Sequence, residues 1–131
     1  MNYFLDAGGA GLIFIAYGLI ILFILLAIVL ESIVMMLMKY NTRFKKAFGD
    51  SFLVNIASLA AGFVLLKLFY DFFSYYSLIN IAILYGLSVL IEGFLLQVLN
   101  KDRPLTRTFL VCLLMNIVSY ALLYAIVNSG K

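Results

Sequence analysis

The chain contains no histidine and a single cysteine, Cys112, and only 11% of its 131 residues are Asp, Glu, Lys or Arg. Each shortage removes a class of chemistry. Without histidine, nucleophile–His pairs, imidazole zinc sites and bis-His haem ligation are excluded. One cysteine closes no intramolecular disulfide and assembles no Cys-based metal site. Neither a cofactor motif nor a metal-ligating set is found, so no cofactor and no metal is expected. Carboxylates can act as acid and base, but no nucleophile accompanies them and no reaction type is supported, which leaves an intramembrane enzyme as the weakest functional class.

What the chain has in place of these is apolar surface. Hydrophobic residues make up 66% of it, and its mean hydropathy of +1.17 lies far outside the range of soluble domains. A chain of this length has room for one domain, residues 1–131, with the bilayer as its principal partner. The formal charge of +3 does not point to nucleic acid. Seven of the nine basic residues fall in two short segments, Lys39, Arg43, Lys45 and Lys46 in one and Lys101, Arg103 and Arg107 in the other. Basic charge bunched beside apolar runs is the positive-inside signature of topology and headgroup contact.

Four apolar runs are long enough to cross a bilayer, which takes roughly 20 residues. They extend from Gly11 to Met38, about Ser51 to Tyr70, about Leu78 to Leu99 and about Thr108 to Val127. The first is longer than a crossing requires and is expected to tilt or project; Gly8, Gly9 and Gly11 are expected to give it a flexible lead-in. Its length and the lack of a cleavage site argue against a signal peptide. Lys67 reads as a snorkelling anchor one turn before Asp71, and the aromatic segment Tyr70 to Tyr76 as an interfacial belt. Both basic segments join an odd run to the following even one. The expectation is therefore an inner-membrane protein with both termini outside, although Lys131 then lies outside, and with both basic loops cytoplasmic.

A shift of 61 residues superposes Glu31 on Glu92, Asn55 on Asn116 and Ser58 on Ser119. Leu26/Leu87, Lys46/Arg107, Phe48/Phe109 and Ile56/Ile117 coincide as well, and the chain holds only these two glutamates. The fold class expected is an all-α integral membrane bundle of four transmembrane helices, made of two tandem hairpins at about 11–70 and 78–128. Because two helices separate the copies, both hairpins have the same orientation, and the repeat is parallel, about an axis along the membrane normal.

Glu31 precedes Lys39 by eight residues and Asn55 follows Lys46 by nine, which places both about 12–14 Å from the basic loop at 1.5 Å per residue. Glu92 and Asn116 repeat this placement about Lys101 and Arg107, and Ser58 and Ser119 each lie one turn deeper than their asparagine. Each hairpin is thus expected to close its own Glu–Asn–Ser cluster. A carboxyl at that depth costs about 2.5–3.5 kcal/mol on insertion scales, so it should face the bundle with donors around it. One reading is a proton- or cation-coupled transport or permeation component, acting as a homo-oligomer and working through Glu31 and Glu92. The other is an accessory or assembly subunit of a larger membrane complex, in which Asn and Ser are interhelical glue and each glutamate is a strut. Small residues Ser51, Asn55, Ser58 and Gly62 at 4-3-4 spacing favour close helix approach.

Overall fold

Long apolar runs without proline satisfy their backbone N–H and C=O groups by coiling into helix. The computed structural model describes residues 3–69 and 78–128, and over them the chain is all-helical. The helices are α1, Tyr3–Leu37; α2, Phe44–Leu68; α3, Leu78–Leu99; and α4, Leu105–Asn128. All four are long and apolar enough to cross a membrane. The aromatic segment Tyr70 to Tyr76, with Asp71, and Lys131 lie outside the described residues.

Helix bounds depart from the apolar runs in an instructive way. The first helix runs unbroken through Gly8, Gly9 and Gly11, so the flexible lead-in expected there is replaced by helix. Its 35 residues span about 50 Å. The second begins at Phe44 rather than near Ser51, taking in Lys45 and Lys46. Hydropathy marks where a segment turns apolar, whereas lysine is a good helix former and extends the helix into its polar flank. The fourth starts directly after Pro104, whose carbonyl accepts the Thr108 N–H at 3.0 Å; proline's fixed φ suits a helix start.

The α1–α2 turn is closed by a Schellman arrangement. Lys39 adopts the left-handed region at φ 51°, the Tyr40 N–H reaches back to the Met35 carbonyl at 2.9 Å, and the Lys39 N–H bonds the Met36 carbonyl at 2.9 Å. Tyr40 and Met35, the two residues that meet across such a cap, both belong to the buried core.

Packing places α1 against α2 and α4, and α3 against α2 and α4, so the helices stand at the corners of a square with α1 and α3 on one diagonal. Apolar core residues cluster at the end carrying the basic loops: Met35, Tyr40, Ala47, Val54, Leu96, Val111 and Met115 are fully buried. Farther along, side chains such as Leu19, Phe63 and Tyr124 lie exposed. Gly93 admits the ring of Phe109 so closely that an added Cβ would fall 2.6 Å from it, and that ring stacks edge-on against Phe94 with centroids 5.4 Å apart.

A left-handed backbone costs a side-chain-bearing residue roughly 1 kcal/mol. Lys39→Gly should therefore stabilise the protein by about 0.5–1 kcal/mol, read as a raised thermal midpoint in detergent, while Lys39→Ala keeps the strain. A midpoint unchanged by glycine would contradict this account of the turn.

Candidate functional site

Glu31 sits on the face of α1 turned toward the bundle and is almost wholly buried. Its carboxyl is met from two other helices. From α2, Ser51 Oγ donates to Oε2 at 2.7 Å and Asn55 Nδ2 donates to the same oxygen. From α4, Ser119 Oγ donates to Oε1. Across the bundle on α3, Glu92 is equally buried and accepts from Asn116 Nδ2 of α4 at 2.7 Å. Ser58 of α2 donates its hydroxyl to Ser88 Oγ of α3 at 3.4 Å. Both glutamates and Ser58 line one cavity.

The six residues singled out in the sequence therefore gather in one place, with a change of partner. Each asparagine bonds the glutamate of its own hairpin, but Ser119 turns to Glu31 and Ser58 to Ser88, each in the other hairpin. Two hairpin-local clusters become one site shared across the hairpins. The reason is angular: three residues along a helix advance about 300°, so the serine lies about 60° round from the asparagine. In a square bundle that rotation is enough to face the other neighbour.

Glu31, Asn55, Ser58, Glu92, Asn116 and Ser119 line a cavity of about 220 Å³. Its other walls, Phe23, Ile24, Ala27, Leu59, Tyr120 and Leu123 among them, come from the glutamate level and from the helix lengths remote from the basic loops. Toward the loops the space ends on buried Met35, Val54, Leu96, Val111 and Met115. Phe23 and Leu123 also border an apolar groove of about 320 Å³ between α1 and α4.

At the loop end lies a polar junction centred on Asp50, a residue that hydropathy assigns simply to the basic segment. Asp50 is buried, and its Oδ2 accepts from Asn41 Nδ2 at 2.6 Å, Lys46 Nζ at 2.9 Å and Asn100 Nδ2 at 2.9 Å. Lys46 Nζ also donates to Asn100 Oδ1 at 2.7 Å. The signal available in the sequence was the Lys46/Asp50 spacing of four, one helical turn. Further links join the loops. Tyr40 shares a hydrogen bond of 2.8 Å with Thr108, and burial raises its phenol above the ordinary value, which keeps it protonated. Arg107 donates to the Met38 and Lys39 carbonyls at 2.9 and 3.2 Å, satisfying the C-terminal end of α1. Arg103 lies over the Tyr40 ring, 5.7 Å from its centroid. Of the basic residues read as topological, Lys46, Arg103 and Arg107 thus also bind the two loops together, while Lys39, Arg43, Lys45 and Lys101 are exposed.

Comparison with family models, with curated proteins and with solved structures returns no match. Among the described residues, no cluster of His, Cys, Asp and Glu has the make-up to hold a metal ion.

Removing Asp50 takes the shared acceptor from two buried asparagine amides and from the half-exposed Lys46. Asp50→Ala should destabilise the protein by about 2 kcal/mol or more, whereas Lys101→Ala, at an exposed side chain, should stay within about 0.5 kcal/mol of wild type. Equal midpoints for the two variants in a detergent unfolding series would remove Asp50 from the centre of this junction.

Proposed function

We propose that the chain is an integral membrane protein of four transmembrane helices, formed from two tandem parallel hairpins, and that it serves as a transport or permeation component in which Glu31 and Glu92 exchange protons or small cations. The basic loops lie on the cytoplasmic face of the inner membrane and both termini outside. The observation that carries this reading is the cavity: two buried carboxyl groups from opposite corners of the bundle share one enclosed space, each about 12–14 Å along its helix from the basic loops.

Several features support exchange over a purely structural role. A strut needs donors but no room, whereas here the carboxyls border a volume large enough for water, about 30 Å³ per molecule in the liquid. Asn55 and Asn116 turn Nδ2 toward the carboxyls, so the oxygens available to a small cation there are those of the carboxyls and the serine hydroxyls. Intramembrane carboxyls that face a cavity are the usual markers of ion and proton pathways. The cavity's walls come from the glutamate level and from the helix lengths away from the basic loops, while the buried apolar core lies on the loop side; this supports access from the end opposite the loops.

Glutamine preserves the shape and hydrogen-bonding size of glutamate but cannot exchange a proton or carry charge. Purified protein in liposomes should support proton or monovalent cation flux, and Glu31→Gln/Glu92→Gln should abolish it at least about tenfold while eluting and unfolding as a folded protein. Undiminished flux from the double variant would reject the transport reading and leave the glutamates as struts of an assembly subunit.

A further inference from the structure

A second polar cavity, of about 240 Å³, lies at the opposite end of the core from the glutamate cavity, where the two basic loops meet. Its walls include Arg43 and Lys46 from the first hairpin and Arg103 from the second, with Asn41 and Asn100 alongside and Asp102 the one acid. The Asp102 side chain is 79% exposed and lies 3.7 Å from Arg103 Nε, where solvent screens the pair.

The donors are supplied by both hairpins and are not used up by the fold. Lys46 Nζ has three N–H groups, of which Asp50 and Asn100 occupy two. Arg103 lies over the Tyr40 ring, 5.7 Å from its centroid, with Nε 3.7 Å from Asp102, and its guanidinium carries five N–H groups. Arg43 is exposed at the start of α2. Beneath them Asn41 and Asn100 are buried and tied to Asp50, so the floor is rigid before any ligand arrives. Asp50 neutralises Lys46 and Asp102 lies beside Arg103, so Arg43 carries the excess positive charge; donor-rich and preformed, the cavity suits a phosphate ester, to which Arg and Lys make charge-assisted bonds.

The surroundings select a phospholipid over a free phosphate. Immediately after Arg43 and Pro104 come Phe44 and Leu105, large apolar side chains left 46% and 55% exposed at the first residues of α2 and α4. Basic donors with apolar side chains beside them reproduce the order of headgroup and acyl chain. We infer that this cavity binds the phosphate of an anionic phospholipid headgroup through Arg43, Lys46 and Arg103, bridging the two hairpins at the basic face. The inference rests on the chain being a membrane protein but is independent of whether the glutamate site moves ions.

The test is lipid retention by native mass spectrometry together with thermal unfolding, on full-length protein in neutral detergent supplied with phosphatidylglycerol or phosphatidylcholine. Phosphatidylglycerol should be retained at one molecule per chain and raise the midpoint by several degrees, with phosphatidylcholine doing neither. Arg43→Gln/Arg103→Gln should weaken retention by about tenfold or more. Lys45→Gln/Lys101→Gln removes the same charge from the same two loops, outside the cavity, and should leave retention at the wild-type level. Should the loss of Arg103 from Tyr40 unfold the double variant, Arg43→Gln alone, changed at an exposed side chain, is read instead and should also weaken retention. Equal loss in the Lys45/Lys101 variant, or equal retention of phosphatidylcholine, would overturn the site in favour of diffuse charge. The same midpoint shift from millimolar glycerol phosphate would overturn the lipid assignment. None of these readouts depends on flux.

Discussion

The carboxyl of Glu31 joins three helices. It projects from α1, takes Ser51 and Asn55 from α2, and takes Ser119 from α4. In apolar surroundings a carboxyl without donors costs several kcal/mol, so any rotation or slide of these helices that broke the contacts would strand it. Apolar packing alone discriminates weakly between registers when nearly every side chain is Leu, Ile or Val. The polar contact supplies the discrimination: it sets the depth of α2 against α1 within the hairpin and of α4 against α1 between hairpins. Glu92 with Asn116 sets α3 against α4 in the same manner, and Ser58 of α2 with Ser88 of α3 joins the remaining side of the square.

The number of helices and the pairing of acid with amide were legible from spacing. Hydropathy needs only a run of apolar residues, and an antiparallel hairpin brings together residues equally distant from its turn, which is how Glu31 finds Asn55 and Glu92 finds Asn116. The serines were placed at the right depth but on the wrong partner, because spacing fixes the angle around a helix and not which neighbour stands there. Asp50 was passed over for a related reason. An acid beside four bases reads as one more loop charge, and its burial arises only when Asn41 from one loop and Asn100 from the other converge on it. Contacts within a hairpin are encoded locally; contacts between hairpins appear only once the square is assembled.

The two ends of the bundle are built on different terms. At the loop end, apolar core residues and the Asp50 junction interlock both hairpins; beyond the glutamates the helices enclose a cavity with apolar flanks. On the proposed parallel architecture this difference has a direct consequence. A parallel repeat exchanges α1 with α3 and α2 with α4 while leaving the two membrane faces distinct, so its symmetry supplies no second, oppositely open state, unlike an inverted repeat. Access from the basic-loop side would require opening the packed end itself, at the contacts made by Asp50, Lys46 and Asn100.

The halves also differ in chemistry at a single position. Ser51, a donor to Glu31, corresponds under the 61-residue shift to Cys112. A thiol is a weak donor, and this one is turned to the Val89 carbonyl at 3.4 Å while Asn116 Nδ2 approaches its sulfur at 3.6 Å. Glu31 is consequently held by donors on both oxygens, with a serine that Glu92 lacks. In the proposed exchange both carboxyls take part, and their donor sets make them unequal: Glu31, held on both oxygens, also joins three helices, while Glu92 gives up fewer contacts when it takes on a proton or cation.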